Sequence, residues 1–338
     1  MTTTDLLDRI AFRGAGLSRP ECALAHASGL LFAPDWTGAG GVSVIAPSGA
    51  VSRILATDRG EGGAEPLRPN GIALEEGGSF LLAHLGDRVG GIYRLHPDGR
   101  TEAVVTEIDG LPMPPANFPL LDPQGRLWIT VSTRKVPRAD DYRPDAASGF
   151  VALHENGRTR IVADGLGYTN ECALTPDGAT LYVNETFARR TTAFDVAPDG
   201  SLSNPRTAAE YGPGTFPDGL ALDAEGGLWI TSIVSNRVIR VGSGGGQEIV
   251  LEDSDPAHLA DVEQAFAEHR MGRPHLDQAR SRRLRNISNL AFGGEGLRTA
   301  FLGCLLGDSV AAFDAPVAGL PPAHWQAGLG PLERYLDE

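Results

Sequence analysis

Six polar side chains recur in phase along this chain of 338 residues: Glu21, Asn70, Asn117, Asn170, Asp218 and Asn289. All six offer oxygen, and two of them are carboxylates. A donor set mixed from carboxylates and neutral amides suits Ca2+, which tolerates irregular coordination by many oxygens. Mg2+ asks for a tighter octahedron with more water. Zn2+ asks for histidine or thiolate, and none of the eight histidines holds one of these positions. One Asn at the start of a hairpin is ordinary turn chemistry. Six in phase, none of them aliphatic, point to a shared task.

Each of the six opens the same local plan. After Asn170 come a short apolar run, the turn Pro176-Asp177-Gly178 and then Leu181-Tyr182-Val183, which reads as strand, tight turn, strand. The plan returns as ECALAHASGLLF from Glu21, NGIALEEGGSFL from Asn70, NFPLLDPQGRLW from Asn117, DGLALDAEGGLW from Asp218 and NLAFGGEGLRTAF from Asn289. The spacings are 49, 47, 53, 48 and 71 residues. A period near fifty with hairpins inside each unit is the signature of a β-propeller. The expected fold is therefore all-β, a six-bladed propeller forming a single domain over residues 1–338. In a propeller the innermost strand of each blade lines the axial channel, so the six polar groups converge there.

The longer last spacing marks an insertion, about 254–286, between blades five and six. Ser254 or Asp255 can cap a helix, Pro256 suits its first turn, and Leu259, Val262 and Phe266 fall at helical spacing before Gly272 and Pro274. Its apolar stripe is short and can dock but cannot form a core, so it is expected to pack as a cap. Arg280, Arg282, Arg283 and Arg285 read as a solvated face or as internal ion pairs. A second irregular stretch, Thr133 to Ser148, reads as a surface loop of blade three. Residues 1–18 read as a lead-in, with a short strand to close the ring.

The formal charge of −14 argues against nucleic acid and anionic membrane as partners, since both need clustered lysine and arginine. A cation or a neutral small molecule fits better. Residues 1–18 lack an apolar core and carry Asp5, Asp8, Arg9 and Arg13, so no secretory signal is expected. Cys22 and Cys172 fall in units one and four, on opposite sides of a six-fold ring, and are expected to be unbonded core thiols. A reducing, cytoplasmic location follows from these readings. The chain carries no G-x-S-x-G elbow, no H-E-x-x-H, no P-loop and no dinucleotide fingerprint.

The stretches ECALAHASGLLF, NFPLLDPQGRLW, NECALTPDGATLYVNET and PDGLALDAEGGLW resemble the blade signatures of the regucalcin and gluconolactonase family (senescence marker protein 30-like), calcium-dependent six-bladed propellers. The resemblance implies an axial Ca2+ held by Glu21, Asn117, Asn170 and Asp218. It also implies a hydrolase acting on ester bonds, a lactonase in the first place, with Asp218 as general base for water or as nucleophile. Three departures separate the chain from sugar-lactone members: Phe118 replaces an Asp, Pro115 replaces an Arg, and Asn170-Glu171 replaces Asn-Gly. Other readings on the same frame are a phosphotriesterase-like enzyme and a non-enzymatic calcium- or ligand-binding propeller.

Asn117, Phe118, Tyr168 and Phe216 are the expected substrate contacts, because residues beside the anchors sit at the channel mouth. Leu111, Met113, Pro114 and Pro115 add to an apolar neighbourhood there. An apolar ester or lactone is the expected substrate, since a polyhydroxylated sugar needs hydrogen-bond partners that these side chains lack. Oligomeric state is not legible from the sequence.

Overall fold

The computed structural model describes residues 3–60 and 64–338. Six four-stranded antiparallel sheets follow one another along the chain, as the repeats require. Their innermost strands are Leu24–Ala25, Pro69–Leu74, Phe118–Leu121, Thr169–Leu174, Phe216–Leu222 and Ile287–Gly293. Blade six is completed from the other end of the chain: Ala11–Arg13 pairs antiparallel with Val310–Asp314, with Phe12 opposite Ala311. The lead-in thus closes the ring by adding the outermost strand, which ties the two ends of the propeller together.

Hydrophobic clusters lie between neighbouring blades. Leu30, Phe32, Val42, Ile72, Phe80 and Leu82 join blades one and two, while Trp128, Val151, Cys172, Leu181 and Val183 join blades three and four. Cys22, Cys172 and Cys304 are buried and unbonded. Burial, with Glu171 as a further negative charge, raises the thiols of Cys22 and Cys172 above their ordinary range. They are packing residues rather than nucleophiles.

Blades three and five share a buried aspartate at the first hairpin. Asp223 accepts hydrogen bonds from the Gly227 amide at 2.7 Å, Trp229 Nε1 at 2.9 Å and Arg240 Nε at 2.7 Å. Asp122 does the same with the Arg126 amide, Trp128 Nε1 and Arg126 Nε. Burial opposes the charge of Asp223, but Arg240, Trp229 and the turn amides outweigh it and hold the carboxyl below its usual range. Asp223→Ala removes a fully buried charge and orphans the Trp229 indole, so a loss of about 3 kcal/mol in unfolding free energy is expected in a denaturant titration.

The insertion forms helices Pro256–Ala267 and Arg273–Asp277. Asp255 caps the first, accepting from the Ala257 and His258 amides, and Val262, Ala265 and Phe266 are buried. These side chains pack with Tyr142, Tyr168, Phe187, Phe216, Ile233 and Leu276 in one cluster. Glu263 anchors the helix by accepting from Arg189 Nη2 at 2.6 Å and the Gly214 amide at 2.8 Å. In the basic stretch beyond it Arg283 donates to the carbonyls of Leu7, Asp8 and Ile10 and Arg282 pairs with Asp8, while Arg280 and Arg285 are exposed.

A cavity of about 780 Å3 occupies one half of the axis, lined largely by apolar side chains and crossed by residues 320–327. No helix among the described residues is long and apolar enough to cross a membrane.

Candidate functional site

Three of the anchors, Asn70, Asn170 and Asp218, sit at a backbone irregularity that strict alternation does not anticipate. In blade two Pro69 pairs with His84 and Ile72 with Leu82, so Asn70 and Gly71 together oppose one residue. The same extra residue occurs at Asn170-Glu171 and at Asp218-Gly219. Each is a β-bulge that bends the strand and re-aims its side chains. Glycine follows the anchor where the next blade presses closest. A Cβ on Gly71 would stand 2.6 Å from Phe118 Cδ2, and one on Gly219 2.6 Å from the Asn289 Cα.

Glu21, Asn70, Asn117, Asn170 and Asp218 line one pocket at the end of the axis opposite the large cavity. The four residues singled out as metal ligands are therefore together in space. Asn170 Nδ2 donates to Thr186 Oγ1 at 3.1 Å, and Asn117 Nδ2 donates to Ser132 Oγ at 2.6 Å. Asn117 Oδ1 accepts from Asn70 Nδ2 at 2.8 Å, which leaves it a second lone pair. With each amide nitrogen tied back, each oxygen is the end left for a ligand.

Asp218 is buried, and among the described residues no hydrogen-bond donor reaches its carboxylate. Burial, and then the neighbouring Glu21 and Glu171 charges, push its pKa well above the ordinary carboxylate range. Two carboxylates and two oriented amides, with one carboxylate lacking any donor, are the chemistry a hard divalent cation would relieve. Among the described residues no group of three or more His, Cys, Asp or Glu side chains is set to hold a metal ion. A cation here would draw on amides as much as on acids.

Asn289, the sixth anchor, does not line the pocket. In blade six the extra residue falls one place earlier, at Ser288, and Asn289 is paired with Gly303. Asn289 instead accepts from the Ala23 amide and donates to Glu171 Oε1 at 2.8 Å. Glu171 also accepts from the Leu220 amide at 2.9 Å. Burial chiefly, with Glu21 adding to it, raises the Glu171 carboxyl to about 8.

Two of the expected substrate contacts are elsewhere. Phe118 turns to the other cavity and packs against Gly71 in the blade interface. Phe216 is fully buried beneath the insertion helix, edge-on to Phe266 at 5.3 Å. Met113 is likewise core, and Leu111 sits exposed in a side hairpin. Tyr168 does line the pocket, joined by Tyr142, Phe187, Leu85, Ile233, Leu276 and Leu305. Tyr142 comes from the blade-three excursion and Leu276 from the insertion, so both irregular segments roof the site. Thr186, Arg19, Arg138 and Arg273 complete the lining. The space inside this half-open pocket is about 40 Å3, enough for a cation or a few waters.

Residues 64–253 match the SMP-30/Gluconolactonase/LRE-like region. The chain belongs to this family. Among its relatives, an L-arabinolactonase from Azospirillum brasilense is 31% identical over 104 residues, covering 30% of this chain and 35% of that one. A gluconolactonase from Zymomonas mobilis is 27% identical over 210 residues, covering 58% and 57%. The match thus spans between about a third and somewhat over half of the length of these two relatives. In three dimensions a gluconolactonase from Xanthomonas campestris superposes with a TM-score of 0.62 at 23% identity, over 89% of this chain and 88% of that one. Regucalcin from Agrobacterium tumefaciens, described as a calcium-binding protein, gives 0.64 at 16%, over 93% and 98%. At such identities the superpositions speak for the shared propeller of this SMP-30/gluconolactonase-like chain.

Proposed function

We propose that this protein is a calcium-dependent lactonase, acting on a small lactone with fewer hydroxyls than a sugar lactone. The convergence of Glu21, Asn117, Asn170 and Asp218 on one axial pocket carries the reading, and the named lactonases among its relatives support it. Glu21, Asn117, Asn170 and Asp218 would hold the cation, which when bound supplies polarisation of the ester carbonyl. Asp218 takes a proton from water as the water oxygen adds to the carbonyl carbon. The ring C–O bond then breaks, the proton passes to the departing alkoxide, and a hydroxy acid leaves. Tyr142, Tyr168, Phe187 and Leu276 exclude bulk water and pack against the apolar part of the ring.

The test is lactone turnover, read as proton release, for protein loaded with Ca2+ and for protein stripped by a chelator. Hydrolysis with calcium that falls at least about a hundredfold on chelation and returns on adding the metal is expected. Equal rates in both, with no metal found by elemental analysis, sink the calcium reading. No turnover of any lactone sinks the activity.

A further inference from the structure

Three guanidinium groups face a pocket whose lining was expected to be apolar. They come from three separate segments: Arg19 precedes blade one, Arg138 lies in the blade-three excursion, and Arg273 opens the second insertion helix. Arg19 holds a left-handed backbone conformation, φ +57°, which costs a non-glycine residue free energy, and its side chain lines the pocket. Its guanidinium packs 4.7 Å from the Trp36 ring centre, and its Nη2 donates to Glu21 at 3.1 Å. Arg273 Nε donates to the Asp277 carboxylate at 2.8 Å.

Arg138 differs from both. It forms no ion pair with any described residue; Nη2 donates to the neutral Ser132 Oγ at 3.0 Å, and the guanidinium lies 5.7 Å from the Tyr168 ring centre. Its Nε is buried with no hydrogen-bond partner, and so is Nε of Arg19. A buried donor left unmade costs free energy unless something else satisfies it. A cation at the axis would offset the charges of Glu21 and Asp218, leaving the guanidinium groups in surplus where the substrate must lie.

We propose that Arg138, assisted by Arg273 and Arg19, selects substrates bearing a carboxylate, so that the lactone accepted here is an anionic one with an apolar ring. This deepens the lactonase reading and rests on it. One guanidinium with no acid at ion-pair distance, and with its neighbour Asp218 offset by the proposed cation, matches one negative charge, which favours a carboxylate over a dianionic phosphate. The planar fork of arginine fits a carboxylate through two parallel hydrogen bonds. The aromatic and aliphatic part of the lining then covers the ring carbons, which accounts for a mouth at once apolar and basic.

The test compares two lactones that differ at one substituent: 5-oxotetrahydrofuran-2-carboxylate and γ-valerolactone, with a methyl in place of the carboxylate. The calcium-loaded protein is expected to favour the carboxylate by about 10- to 100-fold in kcat/KM, the range of a charge-assisted contact. Arg138→Gln is expected to bring that ratio down at least tenfold, with Arg273→Gln as a second variant and Arg138→Lys recovering part of it. A readout free of turnover accompanies it: calorimetric titration with tetrahydrofuran-2-carboxylate and its carboxamide, for wild type and variants. Preference for the acid, lost in Arg138→Gln, supports the proposal even if neither lactone is hydrolysed, and in that case the lactonase reading alone fails. Equal hydrolysis of both lactones with equal binding of acid and amide overturns the proposal and leaves the lactonase reading standing. A preference unchanged in both glutamine variants overturns it as well, since the metal and not the arginines would then be capturing the carboxylate. Absence of both hydrolysis and carboxylate binding overturns both.

Discussion

Asp218→Asn is expected to cut lactone turnover on the order of a hundredfold or more at saturating calcium, as loss of a positioned base does, while leaving the propeller folded. The substitution keeps one oxygen of the same reach at the axis and removes only basicity and one charge. Its effect on stability separates catalysis from scaffolding. Asp218 is buried beside Glu21 and Glu171, and these two charges, after burial itself, raise its pKa. A neutral amide relieves that repulsion, so the metal-free variant is expected to unfold at a higher temperature than metal-free wild type. A residue serving mainly to hold the fold would give the opposite sign. Activity that survives once the metal site is filled would leave Asp218 a ligand only, with the base elsewhere.

The repeating plan of anchor, apolar run, Gly-containing turn and apolar strand made the six-bladed ring legible before any coordinates, because each blade buries the same faces against its neighbours. The helical segment was equally open to reading: Asp255, Pro256 and the spacing of Val262 and Phe266 are local signals, and the structure uses each of them. The anchors were found by their phase, and five of six meet in one pocket. Asn289 escaped because a bulge displaced by one residue changes where a side chain points without changing the sequence pattern.

Glu171 could have been found. The tetrapeptide Glu-Cys-Ala-Leu occurs at 21–24 and again at 171–174, so the residue aligned with Glu21 in this match is Glu171, one place after the anchor Asn170. The extra residue at Asn170-Glu171 breaks the alternation there: Asn170 lines the anchor pocket, and Glu171 lines the larger cavity beside Asn289. The arginines left no such trace. Arg19, Arg138 and Arg273 lie in three segments outside the repeat, and only the tertiary fold brings them together. Phe118 and Phe216 show the converse limit. Beside an anchor a side chain goes to the mouth or into the blade interface according to local twist, and in these two the packing side won.

Acidic groups clustered at the axis also set how the metal-free protein answers to pH. Glu171 is held at about 8, and Asp218 is likewise raised, whereas both titrate near 4 in an unfolded chain. The folded state therefore binds more protons than the unfolded one between these limits, and stability must fall as pH rises. The contribution is fully present below about pH 4 and is lost as pH passes through about 8, on the order of 5 kcal/mol for Glu171 alone. Thermal scans in chelator are thus expected to give a midpoint several degrees higher at pH 5.5 than at pH 8.5. Calcium held as proposed would oppose this slope, because it would bind the deprotonated carboxylates of Glu21 and Asp218 in the folded state and gain affinity as they ionise. At a thousandfold over its dissociation constant it adds about 4 kcal/mol by mass action, and most of that is recovered at the alkaline end. Superimposed scans with chelator and with calcium at both pH values remove the axial metal from the account. A chelated protein that is more stable at pH 8.5 than at pH 5.5 shows instead that these carboxyls carry their charge in the fold without penalty, and that some other group neutralises the axis.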